Sequence, residues 1–280
     1  MSEGRPATRA LSTSRLWFSL SLPGNPKELE PLAEAAVKSD CPIDISSQPA
    51  LWGHYLRGAN REIVAIGGLD LTLATSFDHA ADLVYAKMLE ILCAIGQETM
   101  SCFFLPVYGR ETAVQMQGAV RAVSNARAEG NLQNVGVYAA GNADFALQQL
   151  QRYEVFEVIL APRNHSTPEA LGWPKSALIR THSTLVTCSP FNWGGGMPFF
   201  QPLSSELDSN VALRQQILKE LGQEFPVMVG VRTAAEIEEA MEALNSNSTL
   251  DLSEALTPYR ERFSASEHGR LLQTQRGEPS

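Results

Sequence analysis

Short apolar runs alternate along the chain with longer segments in which apolar residues recur every three or four positions. The apolar runs occupy residues 16–22, 42–45, 63–66, 102–105, 135–138, 156–160, 185–188 and 227–231. The segments of helical spacing occupy residues 26–38, 50–57, 79–95, 112–129, 143–152, 174–182, 209–221 and 233–244. This alternation is typical of strands that are each followed by a helix. The pattern therefore predicts eight βα units in succession.

Parallel strands need long crossover connections, and helices usually supply them. Eight βα units with no spare strand most simply close into a (β/α)8 TIM barrel, which is the predicted fold class. An open doubly wound sheet is the alternative. It lacks support, because no GxGxxG follows the first strand and no GxxxxGK[ST] occurs in the chain. We expect a loose N-terminal segment (1–14), a single barrel domain (15–263) and a loose C-terminal tail (264–280).

Composition narrows the classes of partner. The 280 residues suit one barrel, and 44% hydrophobic with 19% charged residues is ordinary for a globular protein. The 22 Lys and Arg against 31 Asp and Glu give a net charge of −9, which disfavours a nucleic-acid partner. No apolar stretch is long enough to cross a membrane, and the polar N-terminus does not look like a signal peptide. We therefore expect a cytoplasmic protein.

The four cysteines form no CxxC pair. Their wide spacing argues against a zinc ribbon, a thioredoxin-type redox site and a secreted disulfide framework, so no metal site is predicted.

Three stretches of the chain resemble the aldo-keto reductase superfamily. The first is EAAVKSDCPIDISS (34–47), which leads into a strand that carries an aspartate. The second is AVRAVSNARAEGNLQNVGV (119–137), which is similar to a helix-to-strand step of the family. The third is SPFNWGGG (189–196), followed by VGVRTAAEIEEA (229–240). Their order and spacing over about residues 16–245 identify the chain as a divergent member, which implies the same barrel.

The resemblance also implies a catalytic tetrad for carbonyl reduction by a nicotinamide hydride. A phenol must be acidified to protonate an alkoxide at neutral pH, and the family uses a lysine held by an aspartate for this. The aspartate position matches Asp44. The tyrosine, lysine and histidine positions match Pro49, Gly68 and Pro106, so three of the four groups are absent.

A shift of register does not restore these groups. No lysine lies between residues 39 and 86, and no histidine lies between residues 80 and 164. Tyr108, just beyond the fourth strand, is the candidate for a rearranged proton donor. Without such a rearrangement, the standard reductase mechanism is not expected.

The residues implied to bind the cofactor are also incomplete. Where the family holds the nicotinamide amide, this chain has Tyr138, Ala139 and Leu160, and Cys188 replaces the stacking aromatic residue. Glu236 stands where an arginine would clasp the adenosine phosphate, and a carboxylate there repels the phosphate. The positions that remain suited to the cofactor are Ser189, Pro190, Phe191, Arg232 and Thr233. NADP(H) is therefore the cofactor implied by resemblance, and its binding is predicted to be weak or absent.

Loops after the strands of such a barrel build the functional site. Asp44 is the firmest candidate, because a carboxylate in the apolar strand PIDI needs hydrogen bonds or a ligand to compensate its burial. The candidate catalytic residues are Asp44, Tyr108 and His165, and the candidate ligand-binding residues are Arg163, Asn164, Asn192 and Trp193.

Three functional hypotheses follow. The first is a barrel that binds or transforms a small organic molecule at its C-terminal mouth without NADPH-dependent carbonyl reduction, as a cofactor-free lyase, dehydratase or isomerase would. The second is a non-catalytic pseudoenzyme that regulates or scaffolds a protein partner. The third is an NADP(H)-dependent oxidoreductase with a rearranged proton donor.

Overall fold

A computed structural model describes residue 11 and residues 14–164, 183–191 and 210–244. Eight strands lie in this part of the chain: β1 (Leu16–Leu20), β2 (Ile43–Asp44), β3 (Ile63–Ile66), β4 (Met100–Val107), β5 (Leu132–Ala139), β6 (Val158–Pro162), β7 (Thr184–Cys188) and β8 (Val227–Val231). All neighbouring strands are parallel, and β8 pairs with β1 to close the barrel. The predicted (β/α)8 fold is confirmed.

Seven α-helices lie in the described residues: α1 (Leu29–Lys38), α2 (Pro49–Leu56), α3 (Phe77–Ile95), α4 (Ala113–Ala128), α5 (Ala143–Arg152), α6 (Asn210–Gly222) and α7 (Ala234–Ala243). The predicted helix over residues 174–182, the first ten residues and the tail beyond residue 244 lie outside the described residues. No helix of the described segments is long and apolar enough to cross a membrane.

The strands sort their side chains between two apolar layers. Leu16, Phe18 and Leu20 of β1 belong to the layer between the barrel and the helices, whereas Trp17 belongs to the barrel interior. Because side chains alternate along a strand, Ser19 shares the interior face with Trp17. The other members of the interior cluster are Val64, Cys102, Phe104, Val158, Leu160, Val186, Cys188 and Met228.

Phe104 is the largest hydrophobic side chain that β4 places in the interior. It is fully buried, and its ring centroid lies 6.3 Å from that of Trp17. On the adjacent strand, a Cβ atom at Gly136 would approach the Phe104 ring to 2.5 Å at Cε1. The glycine therefore leaves the room that the phenylalanine ring fills.

Helix α3 is held closely by glycines of its two neighbours. Gly118 of α4 lies against the carbonyl oxygen of Phe77, at the start of α3. Gly53 of α2 lies against the carbonyl of Ala94, in the last turn of α3. A Cβ atom at either glycine would collide with backbone, so these contacts fix how closely the three helices approach.

Candidate functional site

A cavity of 380 Å³ opens at the carboxyl ends of β1, β3, β5, β7 and β8. Its polar lining comes from Ser19, Ser21, Tyr138, Ser189, Arg214, Arg232 and Glu236, and its apolar lining from Ile66, Cys188, Pro190, Phe191, Met228 and Gly230. A volume of this size and a mostly apolar wall with a few polar groups are typical of sites for small organic molecules.

Asp44 lies one hydrogen bond away from the cavity and is 1% exposed. The hydroxyl of Ser19, which lines the cavity, donates to Asp44 Oδ2 over 2.6 Å. On the other side, the backbone N–H of Ser46 donates to Asp44 Oδ1 over 3.0 Å, and the Ser46 hydroxyl donates to the same oxygen. The Ser46 hydroxyl itself accepts from the N–H of Ile66 over 2.6 Å. The carboxylate therefore has partners on both of its oxygens.

Burial raises the pKa of Asp44, and the hydrogen bonds from Ser19 and Ser46 oppose this effect without cancelling it. The folded state therefore holds a proton on this carboxyl more tightly than the unfolded chain, whose ordinary pKa is 3.8. Stability from this group is present at low pH and is lost as the pH rises from about 3.8 through the raised pKa.

We expect this loss to appear when the wild type is compared with Asp44→Asn, which cannot titrate. The free energy of unfolding of the wild type, minus that of the variant, is expected to decrease with rising pH across this window. Urea unfolding at about pH 4 to 8 measures the difference. Asp78→Asn, which removes an exposed carboxylate, is the control. A difference that grows with pH would contradict the expectation.

Cys188 contributes a thiol to the cavity wall at the end of β7. Burial raises the pKa of this thiol to about 12, opposed by a hydrogen bond with Ser189 and reinforced by the charge of Asp44. The thiol is therefore protonated at neutral pH and is not an activated nucleophile. The next residue, Ser189, adopts a φ of 55°, which is uncommon outside glycine and turns the chain at the cavity edge.

The start of α7 forms the charged rim of the cavity. The Thr233 side chain caps the helix by accepting from the N–H of Glu236 over 3.3 Å. The Glu236 carboxylate turns back and accepts from the N–H of Arg232 over 2.5 Å. A negative charge therefore lies across the helix N-terminus, where the positive end of the helix dipole favours it.

Arg214 extends this rim from α6. It forms a two-pronged ion pair with Glu239 of α7, with distances of 2.6 Å from Nε and 2.5 Å from Nη2. The hydrogen bond with Glu239 raises the pKa of Arg214, and the charge of Glu236 adds to the effect. The rim therefore carries two arginines and two glutamates in close proximity.

The structure brings part of the predicted site together. Ser189, Pro190, Phe191 and Arg232 line the cavity, while Thr233 caps α7 and is not among the lining residues. Asp44 reaches the cavity only through Ser19. His165, Asn192 and Trp193 lie outside the described residues.

Tyr108 is not among the residues that line the cavity. Its backbone N–H donates to Glu111, and so do those of Gly109 and Arg110, over 2.7 to 3.0 Å. Burial raises the pKa of the Tyr108 phenol, and the charges of Asp70 and Glu111 raise it further. A proton donor at neutral pH needs the opposite shift.

Arg163 and Asn164 follow β6 and also do not line the cavity. The Arg163 guanidinium pairs with Glu224 over 2.8 Å and lies 5.4 Å from the centre of the Phe225 ring. Asn164 is buried.

Several cavity residues are absent from the predicted site. Ser19 and Ser21 left a signal, since they alternate with Trp17 and place polar side chains on the interior face of an otherwise apolar strand. Tyr138 likewise lies on the interior face of its strand, β5. Arg214 left no comparable signal, because its position at the rim depends on how α6 packs.

The described residues do not fit a nicotinamide dinucleotide as the resemblance implies it is held. Cys188 offers no ring to stack on the nicotinamide. The Glu236 carboxylate occupies the N-terminus of α7, where the resemblance places the adenosine phosphate. A phosphate there would meet the like charge of Glu236 in a rim that also carries Arg232, while the guanidinium of Arg214 is already paired with Glu239.

The sequence matches no family model and none of the curated proteins. Solved structures are similar in fold. An aldo-keto reductase from Bacillus halodurans in its holo form has a TM-score of 0.67 at 12% identity, covering 91% of this chain and 95% of that one. A putative 2,5-diketo-D-gluconic acid reductase B has a TM-score of 0.64 at 16% identity, with 88% and 86% covered.

A third structure, the aldose reductase from Schistosoma japonicum, has a TM-score of 0.62 at 12% identity and covers 89% of this chain and 87% of that one. These likenesses, at low identity over almost the whole barrel, show that the chain has the aldo-keto reductase fold.

Proposed function

Starting from the aldo-keto reductase fold of this chain, we propose that the protein binds and transforms a small organic molecule in the cavity at the carboxyl ends of its strands, without nicotinamide hydride transfer. The cavity itself is the observation that carries the proposal. Its volume suits a small molecule, and its polar groups converge from β1, β5, β7, α6 and α7 onto an apolar wall.

The polar groups of the cavity favour chemistry without a nicotinamide. No lysine or histidine lines it among the described residues. In the family, the aspartate that matches Asp44 holds a lysine. Here Asp44 accepts hydrogen bonds from Ser19 and Ser46 instead. A cofactor-free lyase, dehydratase or isomerase needs a group that accepts or donates a proton beside the substrate. Asp44 is a buried carboxyl that is linked to the cavity by its hydrogen bond with Ser19.

The experiment is a fragment screen by ligand-observed NMR, repeated on a variant in which the cavity is filled. Gly230 lines the cavity, and a Cβ atom placed there meets only the Ser21 hydroxyl, at 4.0 Å. Gly230→Leu should therefore fold while its side chain occupies the cavity. We expect small polar fragments to bind the wild type and to lose at least about tenfold in affinity in the variant, which corresponds to about 1.4 kcal/mol.

Gly24→Leu is the matched control, because Gly24 does not line the cavity and a Cβ atom there meets no neighbour within 4 Å. It should retain the fragments. Fragments that bind both variants as well as the wild type would show that the cavity is not the site. In the same titration, saturable NADPH binding below about 1 μM, or roughly −8 kcal/mol, would favour a dinucleotide-dependent oxidoreductase instead.

A further inference from the structure

The hydroxyl of Ser19 lines the cavity, and its hydrogen bond to the buried Asp44 orients it. A serine hydroxyl has one hydrogen to donate and lone pairs with which to accept. While the Asp44 carboxyl is ionised, the hydrogen of Ser19 is committed to its Oδ2 at 2.6 Å. What remains for a molecule in the cavity is the acceptor side of the Ser19 oxygen.

The buried network keeps Asp44 in the accepting role. Asp44 Oδ1 accepts from both the N–H and the hydroxyl of Ser46, so this oxygen has no place for a proton. The Ser46 hydroxyl is oriented in turn, because it accepts from the Ile66 N–H and has only its own hydrogen to give to Asp44. The chain of donors therefore runs toward the carboxylate from both sides.

We propose that the ligand of this cavity carries a hydrogen-bond donor at its inner end, an alcohol hydroxyl or a protonated amine, which Ser19 Oγ accepts. This inference rests on the proposed function and narrows its ligand class. The negative charge of Asp44, one hydrogen bond behind Ser19, strengthens the acceptor and favours a cationic donor. A carbonyl oxygen at the same place meets lone pairs instead of a donor.

The apolar side chains around Ser19 indicate the chemical character of the rest of the ligand. Ile66, Cys188 and Met228 line the same cavity, and the thiol of Cys188 is protonated. The donor group should therefore be attached to a compact hydrocarbon portion, which buries apolar area against these side chains.

The test compares three probes that share one carbon skeleton: 1-phenylethanol, 1-phenylethylamine and acetophenone. Their affinities are measured by NMR titration against the wild type, Ser19→Ala, Asp44→Asn and Thr75→Ala. In the wild type, the alcohol and the amine are expected to bind about tenfold more tightly than the ketone. In Ser19→Ala this preference should disappear.

Asp44→Asn gives the sharper result. An asparagine that keeps its oxygen toward Ser46 presents its NH2 group to Ser19, which then accepts from below and turns its own hydrogen into the cavity. The preference between the alcohol and the ketone should reverse in this variant. Thr75→Ala removes an exposed hydroxyl that neither lines the cavity nor is among the partners of Asp44, and it should keep the wild-type preference.

The inference is overturned if the ketone binds the wild type as tightly as the alcohol, if the preference survives Ser19→Ala, or if none of the three probes binds. The proposed function has its own test. It is refuted if no fragment of the wider screen loses affinity in Gly230→Leu. Near-ultraviolet circular dichroism of each variant verifies the native packing.

Discussion

Replacing Phe104 with alanine is expected to lower the free energy of unfolding by about 3 to 5 kcal/mol. The ring is fully buried inside the barrel, where it packs against Trp17 and fills the space above Gly136. Backbone hydrogen bonds on both sides of β4 hold the barrel wall in place, so the wall cannot collapse into the space that the ring leaves. Urea unfolding monitored by circular dichroism measures the loss.

Leu73→Ala is the control for this prediction, because Leu73 is 71% exposed and its truncation should change stability by less than about 0.5 kcal/mol. A loss below about 1 kcal/mol for Phe104→Ala would mean that the interior repacks.

Replacing Gly118 with alanine is expected to destabilise the protein by about 2 to 3 kcal/mol, although alanine favours the helical backbone by about 1 kcal/mol. The added methyl group would collide with the carbonyl oxygen of Phe77 and lie 3.0 Å from the Cβ of Ala80. Backbone cannot yield as a flexible side chain does, so α3 and α4 would have to move apart.

Gln117→Ala, at an exposed neighbouring position on the same helix, separates helix propensity from packing. It should leave stability within about 0.5 kcal/mol of the wild type. If Gly118→Ala stabilised the protein, the close approach of the two helices would be refuted.

The strand and helix pattern was sufficient to predict the fold, because each element buries one face with its own periodicity. The exact ends of the helices and strands depend on local interactions such as side-chain caps. Helix α3 begins at Phe77, two residues before the predicted start at residue 79, since the Ser76 side chain caps it by accepting from the N–H of His79. Strand β4 extends from Met100 to Val107 and includes Pro106, beyond the predicted run 102–105.

The candidate site was less predictable. Asp44 is recognisable as a carboxylate in an apolar strand, and its bond to Ser46 is local in sequence. Its partner Ser19 is 25 residues away, and only closure of the barrel places it there. Arg214 reaches the cavity through the packing of α6 on α7, which no local pattern encodes.

The two glycine contacts of α3 also bear on how this protein can change over evolutionary time. Since Gly53 and Gly118 contact the backbone of α3 near its opposite ends, a shift of the helix that accommodates a larger residue at one contact has to be tolerated at the other. Substitutions at these two positions are therefore coupled. New side chains at the cavity, such as one at Gly230, meet no such restriction. The barrel can thus acquire new ligands at its mouth while the packing of α2, α3 and α4 is conserved.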